Sequence, residues 1–237
     1  MADAGDDPNK RRWLPLESNP DVMNKYVKGL GMKPDYQFVD VFGMDPDLLA
    51  MIPQPCSAML LLFPINDKVI AHEKEVEERI KKDGQVVSAQ VYFMKQTVGN
   101  ACGTVGLLHS LGNNLDSITL GDGYLKTFFE KTKNMSPEER AQFLEADDEI
   151  AECHEVSAQE GQTEAPPRDD HTNLHFISFV HKDGHLYELD GRKDFPVNHG
   201  ATTAANFVQD AAKVVQQFMA RDPTEVHFTV VALAKTD

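Results

Sequence analysis

The sequence predicts an α/β fold of the α+β kind: a mainly antiparallel central sheet flanked by helices. Three observations carry this. Strand and helix patterns mix without a regular βα alternation. Residues 56–65 form a continuous apolar run bounded by prolines, the mark of a strand buried on both faces. Asp183-Gly184 sits between two β-branched and aromatic runs, which is the strongest short-range signal for a hairpin.

Taken in order, residues 1–12 are polar and charged and read as a disordered leader. Asn19-Pro20-Asp21 gives an N-cap, a proline in the first turn and an acid at the positive end of the dipole, so a helix is expected to about Gly29. Residues 36–42 (YQFVDVF) read as a strand, and Asp45-Pro46 opens a short helix through Met51. Residues 71–82 form a charged helix with Glu75–Arg79, Glu77–Lys81 and Glu78–Lys82 one turn apart. Residues 86–94 read as a short strand. Helices follow from Asn100 to Leu111 and from Tyr124 to Lys131. Ser136-Pro137-Glu138-Glu139 is a capping box that opens a helix to about Glu145. An acidic loop over about 147–171 comes next. Strands at 174–181 and 185–189 flank Asp183-Gly184, Thr203 caps a helix over 204–220, and residues 226–234 form the last strand.

Composition narrows the function. The chain has 237 residues, 41% hydrophobic and 26% charged, enough for one large domain with a full core. The apolar run at 58–63 is far short of the roughly 20 residues of a membrane helix, and the amino end has no apolar h-region. Basic residues number 23 and acidic ones 38, for a net charge of −15. Such a surface repels phosphate backbones, so nucleic acid is not an expected partner, while basic partners are favoured. Between Glu145 and Asp170 ten acids face one base, Arg168. Three cysteines without a secretion signal point to a reducing, cytoplasmic setting, where a special cysteine is catalytic rather than structural.

Of the three, Cys102 is the candidate nucleophile. With Asn100 as N-cap it is the second helical residue, facing unpaired N–H groups and the positive dipole end, both of which favour thiolate. Gly103 and Gly106 cost roughly 1 kcal/mol each in helix propensity, which makes sense if something approaches this helix closely. The competing reading is a buried structural cysteine. Cys56, inside the apolar strand, reads as core, and Cys153 lies among carboxylates that raise a thiol pKa.

Four histidines fall within 171–185. The four-residue spacings 171/175 and 181/185 suggest zinc only on a helix, and the residues between them are strand residues, so no metal is expected. A two-residue turn at Asp183-Gly184 pairs Lys182 with His185, so paired numbers sum to 367. That register sets Ile177 opposite Asp190 and places His175 on the same face as Asp190, diagonal to it. A carboxylate that orients an imidazole is the second half of a Cys–His–Asp set. Gln96, six residues before Cys102, supplies a side-chain amide for an oxyanion hole.

QTVGNACGT, LHFISFVHKDGHLYELDGRKDFP, HEVSAQEGQTEAP, MDPDLLAMIPQP and SPEERAQFLE together resemble the UCH-type ubiquitin C-terminal hydrolases, over Trp13 to about Ala234. The resemblance implies a single catalytic domain over 1–237 with a papain-like fold and a knotted backbone. It implies a cytoplasmic cysteine protease that cuts after the C-terminal glycine of ubiquitin, and possibly of Nedd-eight, releasing small or unfolded adducts. It needs no cofactor and is expected to be a monomer. By motif match Cys102 is the nucleophile, His175 the acid/base, Asp190 its orienter and Gln96 the oxyanion donor. The stretch from 147 to 171 matches the family's crossover loop, beneath which the substrate tail threads. Pro15, Leu16, Glu17, Asp21, Asp40 and Leu174 match ubiquitin-contact positions. Two alternatives remain in view: a ubiquitin-binding module with little hydrolysis, and a thiol acyltransferase unrelated to ubiquitin.

Overall fold

The computed structural model describes residues 11–163 and 172–236. Fourteen elements follow the chain: α1 (Pro20–Gly29), β1 (Tyr36–Asp40), α2 (Pro46–Leu49), β2 (Cys56–Pro64), α3 (Asp67–Asp83), α4 (Cys102–Gly112), α5 (Tyr124–Thr132), α6 (Pro137–Glu145), α7 (Asp148–Gln159), β3 (Leu174–Lys182), β4 (His185–Leu189), β5 (Val197–Ala201), α8 (Phe207–Arg221) and β6 (Thr229–Lys235). The strands form one sheet in the order β1-β6-β2-β3-β4-β5, with every neighbouring pair antiparallel. Among the described residues no helix is long and apolar enough to cross a membrane.

Alternation along the central strands sends side chains into two cores. Ala58, Leu60, Phe176 and Val180 face α4, where Val105, Leu107, Leu108 and Leu111 are buried. Met59, Leu61, Phe63, Ile177 and Phe179 face α8, where Phe207, Val208, Ala211, Val215 and Phe218 are buried. β2 and β3 are therefore covered on both sides, which is why residues 56–65 read as an unbroken apolar run.

The expected α1 cap is present: the Asn19 side chain accepts from the Asp21 N–H. The Ser136 box is complete, with Glu139 N–H donating to Ser136 Oγ (3.2 Å) and Ser136 N–H donating to Glu139 Oε2 (2.7 Å). The hairpin register is the expected one, Lys182 facing His185 and Ser178 facing Leu189. Its ladder ends there, so Asp190 stands just beyond β4 rather than paired with Ile177.

Several expectations are corrected. Residues 86–94 form no strand. Three of their N–H groups are taken by distant side chains instead, Ser88 by the Tyr187 hydroxyl, Tyr92 by Asn113 Oδ1 and Met94 by His109 Nε2, while the Val91 N–H closes a local turn on the Ser88 carbonyl. The acidic stretch is not loop throughout. Its first half is α7, whose Asp147 cap accepts from the Ile150 N–H and whose Ile150, Ala151, His154 and Ala158 are buried. The acids lie on the helix's other positions. Residues 160–163 follow as turn and bend, and 164–171, the end of that stretch, lie outside the described residues, as do 1–10 of the expected leader. Arg11 and Arg12 belong to ordered structure, bridging to Gly99. Thr203 does not cap α8, which begins at Phe207 after Asn206.

Candidate active site

α4 starts one residue later than expected. Ala101 is its N-cap and Cys102 its first residue, while Asn100 sits in the left-handed region with φ of 60°. Asparagine tolerates that region better than most residues, and its side-chain amide is anchored by donating to the Trp13 carbonyl at 3.1 Å. Trp13 N–H donates to Gly99 O (3.0 Å) and Gly99 N–H to Arg11 O (3.1 Å). The amino-terminal segment thus fixes the turn that presents Cys102.

The close approach that Gly103 was expected to serve comes from within the chain. A Cβ on Gly103 would stand 2.9 Å from the Leu16 Cβ. Gly106 is less tightly met, 3.4 Å from a Leu60 methyl.

Cys102 is partly buried, His175 and Asp190 almost wholly so. His175 Nε2 is 2.7 Å from Asp190 Oδ1, and the Cys102 thiol is among the groups that act on the same ring. Phe63, opposite His175 in the sheet, holds the ring edge-on at 6.0 Å. The Arg192 N–H donates to Asp190 Oδ1 at 2.9 Å, fixing the carboxylate.

The electrostatics agree with a thiolate–imidazolium pair. Burial by itself would lower the His175 pKa, but the Asp190 charge and hydrogen bond, with help from Cys102, outweigh it and push it up to about 10. Burial would raise the Cys102 pKa. The His175 hydrogen bond and charge, and the backbone N–H groups of Phe176 and Gly103, bring it below the ordinary thiol value instead. Burial would likewise raise Asp190, and the facing His175 holds it well below the usual carboxylate range. Cys56 is pushed up to about 12 by burial, and Cys153 is raised by burial and by Glu149, Glu152 and Asp147.

Gln96 reaches the same place from a different loop. Its N–H donates to the Gly191 carbonyl at 2.8 Å, next to Asp190. Its side-chain amide donates to Val98 O at 3.2 Å, and its Oε1 is buried without a partner. The end without a partner is therefore the acceptor, and the donating Nε2 is held by the Val98 carbonyl.

The six candidate recognition residues are not one cluster. Leu16 is buried against Gly103 and so is core in this state, while Pro15 is half-buried beside it. Glu17 is engaged within the chain: it accepts from Gln162 N–H (2.8 Å), Thr163 Oγ1 (3.0 Å) and Asn19 Nδ2 (3.3 Å). Asp21 is exposed at the start of α1, and Leu174 is exposed beside His175. Asp40 is exposed at the end of β1, with β6 and β2 between it and β3.

Two buried histidines escaped the sequence reading. His154 of α7 donates from Nε2 to Leu14 O (2.6 Å) and accepts at Nδ1 from Thr104 (2.7 Å), tying the amino-terminal segment to α4. His109 lies flat on Phe93. Burial pushes both down to about 4, so both rings are neutral. Their positions inside apolar helical patterns were the available signal.

The family model of ubiquitin carboxyl-terminal hydrolases, family 1, matches residues 13–220. A ubiquitin carboxyl-terminal hydrolase of Aplysia californica is 51% identical over 216 residues, covering 91% of this chain and 98% of that protein. Ubiquitin carboxyl-terminal hydrolase 3 of Arabidopsis thaliana is 46% identical and covers 99% of both. The human isozyme L1 is 47% identical over 93% of this chain and 97% of its own. The catalytic domain of Trichinella spiralis UCH37, solved bound to ubiquitin vinyl methyl ester, superposes with a TM-score of 0.72 at 22% identity, covering 94% of this chain and 96% of that one; it shares the fold. With a cysteine, a histidine and an aspartate assembled on that fold, and relatives this similar along nearly the whole length, the chain belongs to family 1 of the ubiquitin carboxyl-terminal hydrolases.

Proposed function

We propose that this chain is a thiol-dependent deubiquitinase that hydrolyses the bond after the C-terminal glycine of ubiquitin through an acyl-thioester on Cys102. The observation that carries the reading is His175, held 2.7 Å from Asp190, acting on the thiol of Cys102 and lowering its pKa. The Cys102 thiolate attacks the glycyl carbonyl, and the oxyanion is held by the Cys102 N–H and the Gln96 amide. The His175 imidazolium gives its proton to the departing amine as the C–N bond breaks, leaving a thioester. Neutral His175 then takes a proton from water, hydroxide adds to the thioester, and the thiolate leaves. Asp190 keeps the ring oriented throughout and stabilises the imidazolium whenever it forms.

The remaining parts follow the same reading. Glycine residues ahead of the cut suit a narrow slot, and the leaving groups are small or unfolded adducts. The acidic surface favours an arginine-bearing tail and disfavours nucleic acid. Nedd-eight is a second candidate modifier. The protein works as a cytoplasmic monomer, without a metal or other cofactor.

The test uses ubiquitin bearing a C-terminal fluorogenic amide. Cys102→Ala is expected to bind ubiquitin and lose turnover. A ubiquitin electrophile is expected to label Cys102 with a midpoint well below the ~8.5 of a free thiol. Full activity in Cys102→Ala, or a labelling midpoint at or above that value, contradicts the mechanism. Ubiquitin binding with no labelling at all indicates a binding module.

A further inference from the structure

Behind Asp190 lies a second, fully buried set of charges. Glu188 of β4 and Lys193 form an ion pair in which both side chains are at most 5% exposed. The other Glu188 oxygen is 2.8 Å from His199 Nε2 on β5. Lys193 is brought back toward β4 by a turn in which its N–H donates to the Asp190 carbonyl at 3.0 Å. Lysine is almost never this buried without a reason. A buried ion pair is weak evidence for stability, because desolvation offsets the attraction.

The reason is legible in the charge arrangement. Glu188 and Asp190 are two residues apart, and the half-buried Glu73 of α3 has its pKa raised by burial and then by the charges of Asp190 and Glu188, against the opposing pull of Lys193. Carboxylates crowded in a dry interior cannot all ionise, and one takes up a proton. The catalytic set requires Asp190 to be the one that does not. We propose that Lys193, paired to Glu188, is a positioning residue for the reaction: its buried ammonium balances the carboxylates around Asp190 and so sets the charge state of the His175–Cys102 pair. This rests on the reading under Proposed function.

Other charged groups face the same network. His72 and Arg79 from α3, Arg221 from α8 and His199 from β5 line, with Glu73, Glu188 and Lys193, a cavity of about 350 Å³. Cys102, His175, Asp190 and Gln96 are not among the residues that line it. A change in the network therefore reaches the chemistry through charge, without touching substrate.

The sign of the effect separates this role from a merely structural one. Lys193→Met removes a positive charge, which stabilises the imidazolium, destabilises the thiolate and raises Asp190. Both limbs of the pH profile of kcat/KM move up. Glu188→Gln leaves Lys193 uncompensated, and both limbs move down. The double variant removes both charges and returns the profile near its wild-type position. Each single shift is expected to be about one pH unit, the order of effect of one neighbouring charge at an effective dielectric of about 20. KM stays within about twofold, and Lys193→Arg keeps the wild-type profile.

The assay is hydrolysis of the ubiquitin fluorogenic amide by the full chain from pH 5 to 10. Opposite shifts with recovery in the double variant support the inference. Unshifted profiles, or two shifts of the same sign, overturn it. If Lys193→Met does not fold, the direction of the Glu188→Gln shift decides. A wild-type protein without activity on ubiquitin overturns the functional reading itself, a different result from an active enzyme whose profile does not move.

Discussion

Gly191 follows Asp190 and packs against Gln96. A Cβ built there stands 2.9 Å from the Gln96 Cβ, 3.0 Å from a Val105 methyl and 3.1 Å from the Gln96 backbone nitrogen. Carbon atoms prefer about 3.5–4.0 Å, so Gly191→Ala demands a displacement of roughly half an ångström. Two of the three contacts belong to Gln96, and its N–H is bonded to the Gly191 carbonyl, so Gln96 is the group that yields. Overpacking on this scale costs about 1–3 kcal/mol, which at this chain length lowers Tm by about 2–4 °C per kcal/mol. A displaced oxyanion donor costs more in rate: losing one entirely is worth ~10²–10³ in kcat. Gly191→Ala is therefore expected to lower kcat about 10- to 100-fold on the ubiquitin fluorogenic amide, with KM within about twofold. The check is a double-mutant cycle with Gln96→Ala. If the alanine acts through Gln96, the pair is no slower than Gln96→Ala alone. Wild-type kcat in Gly191→Ala, or a pair slower by the full product of the two factors, refutes the reasoning.

Asp190→Asn removes the charge that raises His175, and turnover should fall roughly 10⁴-fold, the scale on which an orienting acid matters. The stability effect has a defined window. A raised His175 pKa contributes fully below the unfolded value near 6.5 and is lost as pH climbs through about 10, while the depressed Asp190 contributes above about 3.9. Denaturant melts should show the wild-type advantage over Asp190→Asn largest between about pH 4 and 6.5 and shrinking toward 10; an advantage that grows with pH contradicts the pairing. Ser136→Ala breaks the α6 capping box and should cost about 1 kcal/mol, seen as a Tm lower by about 2–4 °C with turnover unchanged. An unshifted Tm there means that the box is energetically idle.

How much of this was legible in the sequence depended on whether local chemistry or tertiary pairing decided the outcome. The Asp-Gly turn fixed the β3–β4 register, and with it the approach of His175 to Asp190, because a two-residue hairpin allows few alternatives. Residues 86–94 have strand-like composition, yet Tyr187, Asn113 and His109 took up three of their N–H groups, and no local signal announces such partners. β5 went unread for the opposite reason: Val197–Ala201 includes Asn198 and Gly200, poor strand formers, held in place by pairing with β4. In α7 the density of acids masked the buried spacing of Ile150, Ala151, His154 and Ala158. No local pattern singles out Lys193; its burial follows from the turn after Asp190, which only the folded backbone reveals.

Residues Arg11 to Leu14 stitch two distant parts of the chain together. Gly99 and Asn100 hold one side. On the other, His154 takes the Leu14 carbonyl, and the Arg11 guanidinium meets Glu145 O and Asp148. The turn ahead of Cys102 therefore has the amino terminus as a splint. A load applied at that end, whether from an unfolding motor or a bulky fused partner, is transmitted to the nucleophile before any strand of the sheet is strained. The enzyme would be disarmed while most of its fold was still standing.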